Sequence, residues 1–405
     1  MKIRQIILSG IVILASVVTG NAQVTSTDSV SLAPLNAINN VLQGYASRNI
    51  SLGAYAQIDY NQPLAANEYS IGKMDVHRFV MFMGYQFNDK TQFVTEVEFE
   101  HVSEVYVEQA FLNYSFDPRL NFRAGLLLIP MGIINEYHEP TTYYGVERPN
   151  LEGNLIPTTW REIGAGFSGS FPSSSLRYQV YLVNGFSGYG ASGATFRGSD
   201  AFRKGRQKAA ESYISSPNLS MKIDYYGIPG LKVGLSGYTG KSQSVLFKGL
   251  RKDDEMASYR ADSSVVHITM MGLDARYQNK GIVARAQLIS AIIGNTDQYN
   301  AFSGTDLGSQ MMGYYVEAGY DVFHLVNRQM QHKCVPFIRY ERYDTHQGVA
   351  GSLTENLAYD RTDITLGVNY FLTPGAVLKG DYQVFSNQSS PVKAKQLNFG
   401  VGIWF

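Results

Sequence analysis

The densest group of residues that could do chemistry lies in a long segment between about residues 130 and 160. Glu136, His138 and Glu139 stand close together there, and Arg148 follows. Two carboxylates and an imidazole are ligand types that a divalent cation accepts. Their spacing is loose, however, so an ordinary hydrated loop is the favoured interpretation. The sequence therefore predicts no bound metal and no cofactor.

Other charged residues are spaced two apart inside runs that alternate with apolar residues. Glu96 and Glu98 follow this pattern, as does the Arg339 and Glu341 pair. A period of two predicts β-strands whose two faces meet different surroundings. The last ten residues show it most clearly, because Leu397 and every second residue up to Phe405 are large and apolar.

The same alternation recurs along the chain from about residue 50. Sixteen predicted strands are centred near residues 55, 80, 96, 110, 124, 166, 179, 222, 235, 272, 287, 317, 339, 366, 380 and 400. An even number of strands is the rule for single-chain bacterial outer-membrane barrels.

The connections between these strands alternate between short and long along most of the chain, with a short connection at 101–103 on the long side and a rather long one at 323–333 on the short side as exceptions. Short connections rich in turn residues occur at 88–90, 117–119, 172–174, 227–230, 278–281 and 373–375. Long connections are predicted at 61–72, 130–160, 184–216, 240–262, 293–310, 345–359 and 386–394. The pattern predicts an all-β fold, a transmembrane antiparallel β-barrel of about 16 strands with short periplasmic turns and long extracellular loops.

The N-terminus has the features of a secretion signal. Lys2 and Arg4 precede an apolar run, and small residues around Ala22 offer a cleavage site. We therefore expect a signal peptide at 1–22, an N-terminal linker or short helix at 23–49, and the barrel at 50–405. No later stretch approaches the roughly 20 apolar residues of a spanning helix, so the predicted location is the bacterial cell outer membrane.

Charge inside a spanning strand should point away from lipid, where Arg or Lys costs about 2–4 kcal/mol at the midplane. This rule predicts a water-filled lumen with nine basic and eleven acidic residues. The pore-lining candidates are Arg78, Glu96, Glu98, Arg123, Arg177, Arg285, Arg339, Glu341, Lys379 and Asp381. The 130–160 segment, with Glu136, His138, Glu139 and Arg148, is the candidate constriction loop.

The 184–216 loop is basic, and the sequence leaves two arrangements open for it. Folded over the mouth, it would concentrate anions there. Projecting outward, it would be a solvated loop that touches lipopolysaccharide phosphates.

Several stretches together resemble the phosphate-selective porin O and P family, in its Bacteroidetes-type branch. They are Phe122-Arg123-Ala124-Gly125, Ile129-Pro130-Met131-Gly132, Pro336 to Glu341, Thr365 to Tyr370, Val377 to Tyr382 and the terminal Phe405. The resemblance implies sixteen strands, a homotrimer, and passive diffusion of small ions with phosphate or other anions favoured. The mixed-charge lumen departs from the lysine- and arginine-rich lumens of the anion-selective members.

The expected function is that of a porin for small hydrophilic solutes or ions, with outer-membrane lipid and lipopolysaccharide as surroundings. The balance of 34 basic and 34 acidic residues argues against a nucleic-acid partner. One alternative is a structural or partner-binding barrel. Another is an outer-membrane hydrolase, for which His101 and Ser103 are neighbours but no third partner is in phase. We therefore do not predict an enzyme.

Overall fold

The structure is a computed structural model that describes residues 49–65, 68–251, 253–328 and 330–405. The predicted signal peptide and the predicted linker, apart from its last residue, lie outside the described residues.

Sixteen antiparallel strands form one closed barrel, which confirms the predicted fold class. Every predicted strand centre falls inside an observed barrel strand. These are β1 (Ile50–Pro63), β2 (Lys73–Asn88), β3 (Thr91–Glu100), β4 (Glu104–Asp117), β5 (Leu120–Leu128), β6 (Arg161–Phe171), β7 (Leu176–Val183), β10 (Asn218–Ile228), β11 (Leu231–Lys241), β13 (His267–Asn279), β14 (Ile282–Gly294), β15 (Gln310–Tyr320), β16 (Lys333–Gly348), β17 (Asp360–Thr373), β18 (Ala376–Asn387) and β19 (Ser390–Trp404).

The barrel closes between its first and last strands. β1 pairs with β19 in a register that sets Tyr55 opposite Trp404 and Ile58 opposite Val401. The backbone of the last residue, Phe405, exchanges two hydrogen bonds of 2.9 Å with Ala54. Closure leaves the barrel sheet without an open edge, which is the condition for a sheet to cross a bilayer.

The two faces of the barrel wall differ as the alternation predicts. On β2 the outward side chains of Phe79, Met81 and Met83 are 38–44% exposed. The inward side chains between them, Val80 and Phe82, are at most 5% exposed. Since such apolar outward rows recur around the wall, the outer surface suits lipid and the inner surface holds the polar groups.

Short elements fill the connections. Strands β8 (Ser187–Gly190), β9 (Gly193–Ala194) and β12 (Gln243–Ser244) form a small separate sheet. Three helices, α1 (Asn150–Asn154), α2 (Glu255–Ser263) and α3 (Thr296–Ser303), lie in long loops, with 3-10 turns at Pro172–Ser174, Arg203–Gly205, Val245–Phe247, Val322–Leu325 and Leu357–Tyr359. Within the described residues, no helix is long and apolar enough to cross a membrane.

One predicted connection was wrong. Instead of a long loop at 386–394, β18 and β19 form a tight hairpin in which Asn387 pairs with Ser390. Residues 391–395 of β19 are exposed on both faces. Where a strand continues past the apolar belt into water, its side chains need not alternate between apolar and polar. The polar sequence at the start of β19 therefore resembles that of a loop.

Candidate functional site: the barrel lumen and its inward-folded loop

The connection between β5 and β6, residues 129–160, folds into the lumen, and we call it the inward loop. Its two ends are joined where the Ile129 N–H donates to the Trp160 carbonyl over 3.1 Å. The Asn135 side-chain amide bridges the same two ends, because it donates to the Ile129 carbonyl at 2.7 Å and to the Trp160 carbonyl at 2.9 Å. Most of the loop is buried, so it packs inside the barrel and does not project outward.

One side of the inward loop is bound to strands near the barrel closure. The Lys379 ammonium on β18 donates to the backbone carbonyls of Tyr143 and Gly145, each at 2.8 Å. Two strand positions along, the Asp381 carboxylate accepts from the Val146 N–H at 2.6 Å. A wall lysine and a wall aspartate thus satisfy loop backbone groups that would otherwise be buried without partners.

The opposite side of the loop meets a cluster of wall charges. Lys222 on β10 pairs with Glu136 at 2.7 Å and with Asp274 at 3.1 Å. Next to it the Tyr137 hydroxyl accepts from Lys232 at 2.8 Å, and the Arg276 guanidinium lies 3.8 Å from the Tyr137 ring centroid. The loop therefore crosses the lumen from one wall to the other.

Helix α1 anchors the loop to a third part of the wall. Its Leu151 N–H donates to the Glu341 carboxylate at 3.0 Å, and Glu341 pairs with Arg339 at 2.9 Å. The neighbouring Glu152 carboxylate accepts from the Ile134 N–H at 2.9 Å and from the Tyr315 hydroxyl at 3.0 Å. Burial nevertheless raises the pKa of Glu152 to about 7.

His138 joins the loop to strands β3 and β4. Its Nε2 lies 3.3 Å from Glu96 and 3.4 Å from Glu108. The sequence grouped His138 with Glu136 and Glu139, but the structure directs Glu136 to Lys222 and buries Glu139 elsewhere in the loop.

Glu108 is a lumen residue that the sequence analysis missed. The pairing of β3 with β4 slips by one residue, so Glu96 faces Gln109 while Val97 faces Val107. This bulge turns two successive residues, Glu108 and Gln109, inward. The sequence does contain a signal for this bulge. Strict alternation along β4 would place Glu108 against lipid, which is unfavourable for a carboxylate, so a break in the alternation could have been inferred there.

The other pore-lining candidates lie on inward faces of the wall. Arg78 is buried and 3.9 Å from Glu98, and Arg177 pairs with Asp224 at 2.9 Å. Arg285 lies 3.7 Å from Glu317. Arg123 is half-buried and donates to neutral oxygens of Asn113 at 3.1 Å and Tyr181 at 3.3 Å.

Two polar cavities of the described structure lie at opposite ends of the barrel. The one at the short-turn end, about 500 Å³, has Arg123, Glu136 and Arg177 among its lining residues. The one at the long-loop end, about 560 Å³, is lined by Arg148 and by basic residues of the 184–216 loop. The inward loop contributes residues to both.

The 184–216 loop folds over the mouth, which settles the choice that the sequence left open. Its Arg206 donates to the carbonyls of Pro157 and Thr159 in the inward loop, each at 3.2 Å. Arg203 donates to the Thr158 carbonyl at 3.1 Å. Burial, together with the nearby Arg203 and Arg161 guanidinium groups, lowers the pKa of Arg206 to about 9.

A closed sixteen-stranded barrel with an apolar exterior and a charged interior has the architecture of a bacterial outer-membrane barrel. No protein-family model matches the chain. An uncharacterized protein of Aquifex aeolicus (strain VF5) is 29% identical over 350 residues, which is 83% of this chain and 75% of that protein.

Solved structures of similar fold are outer-membrane porins and channels. The channel DcaP of Acinetobacter baumannii aligns with a TM-score of 0.56 at 11% identity, over 92% of this chain and all of that one. The anion-selective porin of Comamonas acidovorans aligns with a TM-score of 0.54 at 13% identity, over 88% of this chain and all of that one. Salmonella typhi OmpF aligns with a TM-score of 0.53 at 12% identity, over 88% and 97%.

Proposed function

We propose that the protein is a passive channel for small hydrophilic solutes or ions, without enzymatic activity. The observation that carries the proposal is the polar lumen itself, in which a folded loop lies between two polar cavities that open toward opposite ends. A charged lumen of sixteen strands is wide enough for a water-filled path, and a loop inside it narrows that path.

The geometry around His101 and Ser103 does not favour a hydrolase. The Ser103 hydroxyl donates to the His101 backbone carbonyl at 3.4 Å. The His101 ring pairs with Asp75 at 2.5 Å. A nucleophilic serine needs its hydroxyl bonded to the imidazole, and here the hydroxyl is directed elsewhere.

We further propose that the channel prefers small anions, phosphate included. Among the residues lining the outer cavity, the cations outnumber the carboxylates. The cations are Arg78, Arg148, Arg161, Arg203, Arg206 and Lys208, and the carboxylates are Glu98, Glu100 and Glu147. Arg203 and Arg206 donate to neutral backbone carbonyls, and neither forms an ion pair within 4.0 Å among the described residues.

An uneven charge in a confined cavity raises the local concentration of counter-ions. Ions entering from outside would meet this cavity before the more balanced wall at the level of the inward loop. Anion preference can therefore arise at the mouth even though the strands carry mixed charge.

The reversal potential across a salt gradient tests the anion preference. Chloride and phosphate should both be more permeant than potassium in the wild-type channel. The Arg148→Gln variant should lower the anion-to-cation permeability ratio roughly twofold, because one cavity cation is removed. Arg148 suits this test because two of its buried nitrogens, Nε and Nη2, have no hydrogen-bond partner in the described structure.

Arg251→Gln is the matched control, since Arg251 is exposed in another loop and pairs with Asp253. It should leave the ratio unchanged. A cation-selective wild-type channel would remove the anion preference while leaving the channel itself in place.

The assembly and surroundings belong to the same proposal. We expect a homotrimer embedded in outer-membrane lipid and lipopolysaccharide, with the apolar outer rows against acyl chains. In support, a structural neighbour of similar fold, OmpT of Vibrio cholerae, is described in a trimer form, with a TM-score of 0.50 at 12% identity over 88% of this chain and all of that one.

A further inference from the structure

Three buried side chains converge where the inward loop meets strands β3 and β4. They are Glu96, Glu108 and His138, and each offers one ligand atom within 4.8 Å of the others. The side chains are at most 3% exposed. An imidazole nitrogen and two carboxylate oxygens form a ligand set that suits a divalent transition metal such as Zn²⁺.

The orientation of the His138 ring is the first argument. Its Nδ1 lies 3.3 Å from the Asn135 carbonyl, so Nδ1 carries the proton and donates. Nε2 then faces two carboxylates, and this contact is repulsive for a neutral ring, so it needs either a metal ion between them or a second proton on the ring. A backbone carbonyl that fixes the other nitrogen is the usual support of a metal-binding histidine.

The bulge on β4 is the second and independent argument. Without it, Glu108 would follow the outward phase of the strand; with it, the carboxylate is directed into this cluster. Bulges commonly re-aim a side chain at a functional position.

The charge balance around Glu108 is the third argument. Its Oε1 is buried and has no hydrogen-bond partner among the described residues. The Arg161 guanidinium is 3.9 Å from that oxygen, beyond hydrogen-bond distance. The Tyr55 hydroxyl reaches only the other oxygen, at 3.4 Å. A buried carboxylate with an unsatisfied oxygen has the capacity for one more cationic partner.

We propose that Glu96, Glu108 and His138 bind one divalent transition metal ion, which fastens the inward loop to the barrel wall. The alternative is a second proton on the His138 ring, which would remove the repulsion between Nε2 and the two carboxylates without a metal ion. Since Glu96 and Glu108 belong to adjacent strands and His138 to the loop, the ion would link three separate segments of the chain.

The test uses the full-length protein folded in detergent, with equilibrium dialysis of Zn²⁺ and the visible absorption of Co²⁺ at pH 8. We expect one ion per chain in the wild-type protein. His138→Gln and Glu108→Gln should each weaken metal binding by more than about tenfold. Loss of a residue that merely hydrogen-bonds a metal ligand already weakens binding by about that factor, and loss of a ligand should cost at least as much. The heat-dependent gel mobility of the folded barrel is checked for every variant, and Glu96→Gln replaces Glu108→Gln if that variant does not fold.

His77→Gln is the matched control, because His77 belongs to a separate grouping with Asp59 and Glu147 at the outer mouth. It should bind the ion as the wild type does. Three results would overturn the proposal, namely no binding, equal binding in the folded His138→Gln protein, or binding lost in His77→Gln instead. Ion binding is measured without any conductance, so the result does not depend on the channel proposal.

Discussion

Individual charges in the lumen are mostly matched to particular partners. Lys222 contacts both Glu136 and Asp274, and Arg339 contacts both Glu317 and Glu341. Removing one member of such a buried set leaves its partner uncompensated, which is costly. The lumen charges therefore form a network of ion pairs that holds the inward loop in place, and they do not merely solvate the wall.

Glu152 gives a pH-dependent prediction. The folded protein raises the pKa of this carboxyl to about 7, while the unfolded chain keeps it near 4.5. Between these values the folded state holds a proton that the unfolded state has lost. Stability should therefore fall as pH rises through this window and level off above it.

Glu152→Gln should remove that part of the pH dependence, because the amide keeps the shape without the charge. The measurement is urea unfolding of the barrel at pH 5 and pH 8 for wild type and variant. Glu355→Gln, in an exposed loop, should follow the wild type. The prediction is wrong if the Glu152→Gln protein loses as much stability between the two pH values as the wild type does.

Sequence reasoning recovered the inward charges but not their partners. Arg78, Lys379 and Asp381 lie on the inward phase because charge avoids lipid, and that rule needs only the local pattern. The contact of Lys379 with the Tyr143 carbonyl joins residues 236 apart in sequence, and no local pattern encodes such a separation. Glu108 was missed because a bulge breaks the period on which the rule depends.

Among elements, the inward loop depends on a sharp turn at Gly132. This residue has φ of 80°, and a Cβ there would lie 2.6 Å from both the Glu152 carboxylate and the Ile156 side chain. A side chain at this position would therefore strain the backbone conformation and would also displace the ends of two buried loop side chains.

Gly132→Ala should destabilise the loop more than a matched glycine substitution does. Gly249 has φ of 71°, yet nothing lies within 4 Å of its Cβ position. Gly249→Ala should thus lower the free energy of unfolding by only about 1–2 kcal/mol, the cost of a left-handed backbone conformation for alanine. Gly132→Ala should lower it by this amount and further through the contact of its Cβ with Glu152 and Ile156. The measurement is the hydrogen-exchange rate of the inward-loop amides, which increases when the loop is destabilised. Equal exchange in the two variants would show that the contact with Glu152 and Ile156 does not matter.

The strands were predictable from the sequence because each has lipid on one side and polar lumen on the other. All sixteen centres were correct for that reason, while the outer end of β19 was mistaken for a loop because both of its faces are exposed. The path of the 129–160 segment was not predictable, because its burial comes from contacts with strands on several sides of the barrel.

The whole molecule combines a closed barrel, a folded loop across its lumen and a cation-rich outer cavity. The closure between β1 and β19 removes free strand edges, and the apolar outer rows match a bilayer. The lumen charges predicted for the strands are nearly balanced, whereas cations outnumber carboxylates among the residues that line the outer cavity. These features of the whole molecule agree with the passive channel proposed above.

Conductance of the purified protein in a planar lipid bilayer tests this account most directly. We predict stepwise, ohmic increases in current as the protein inserts, with closures grouped in threes if the assembly is a homotrimer. Replacing residues 133–157 by a short glycine-serine linker should raise the current of each step, because the inward loop is removed from the lumen. A correctly folded barrel that carries no current at any voltage would contradict the account.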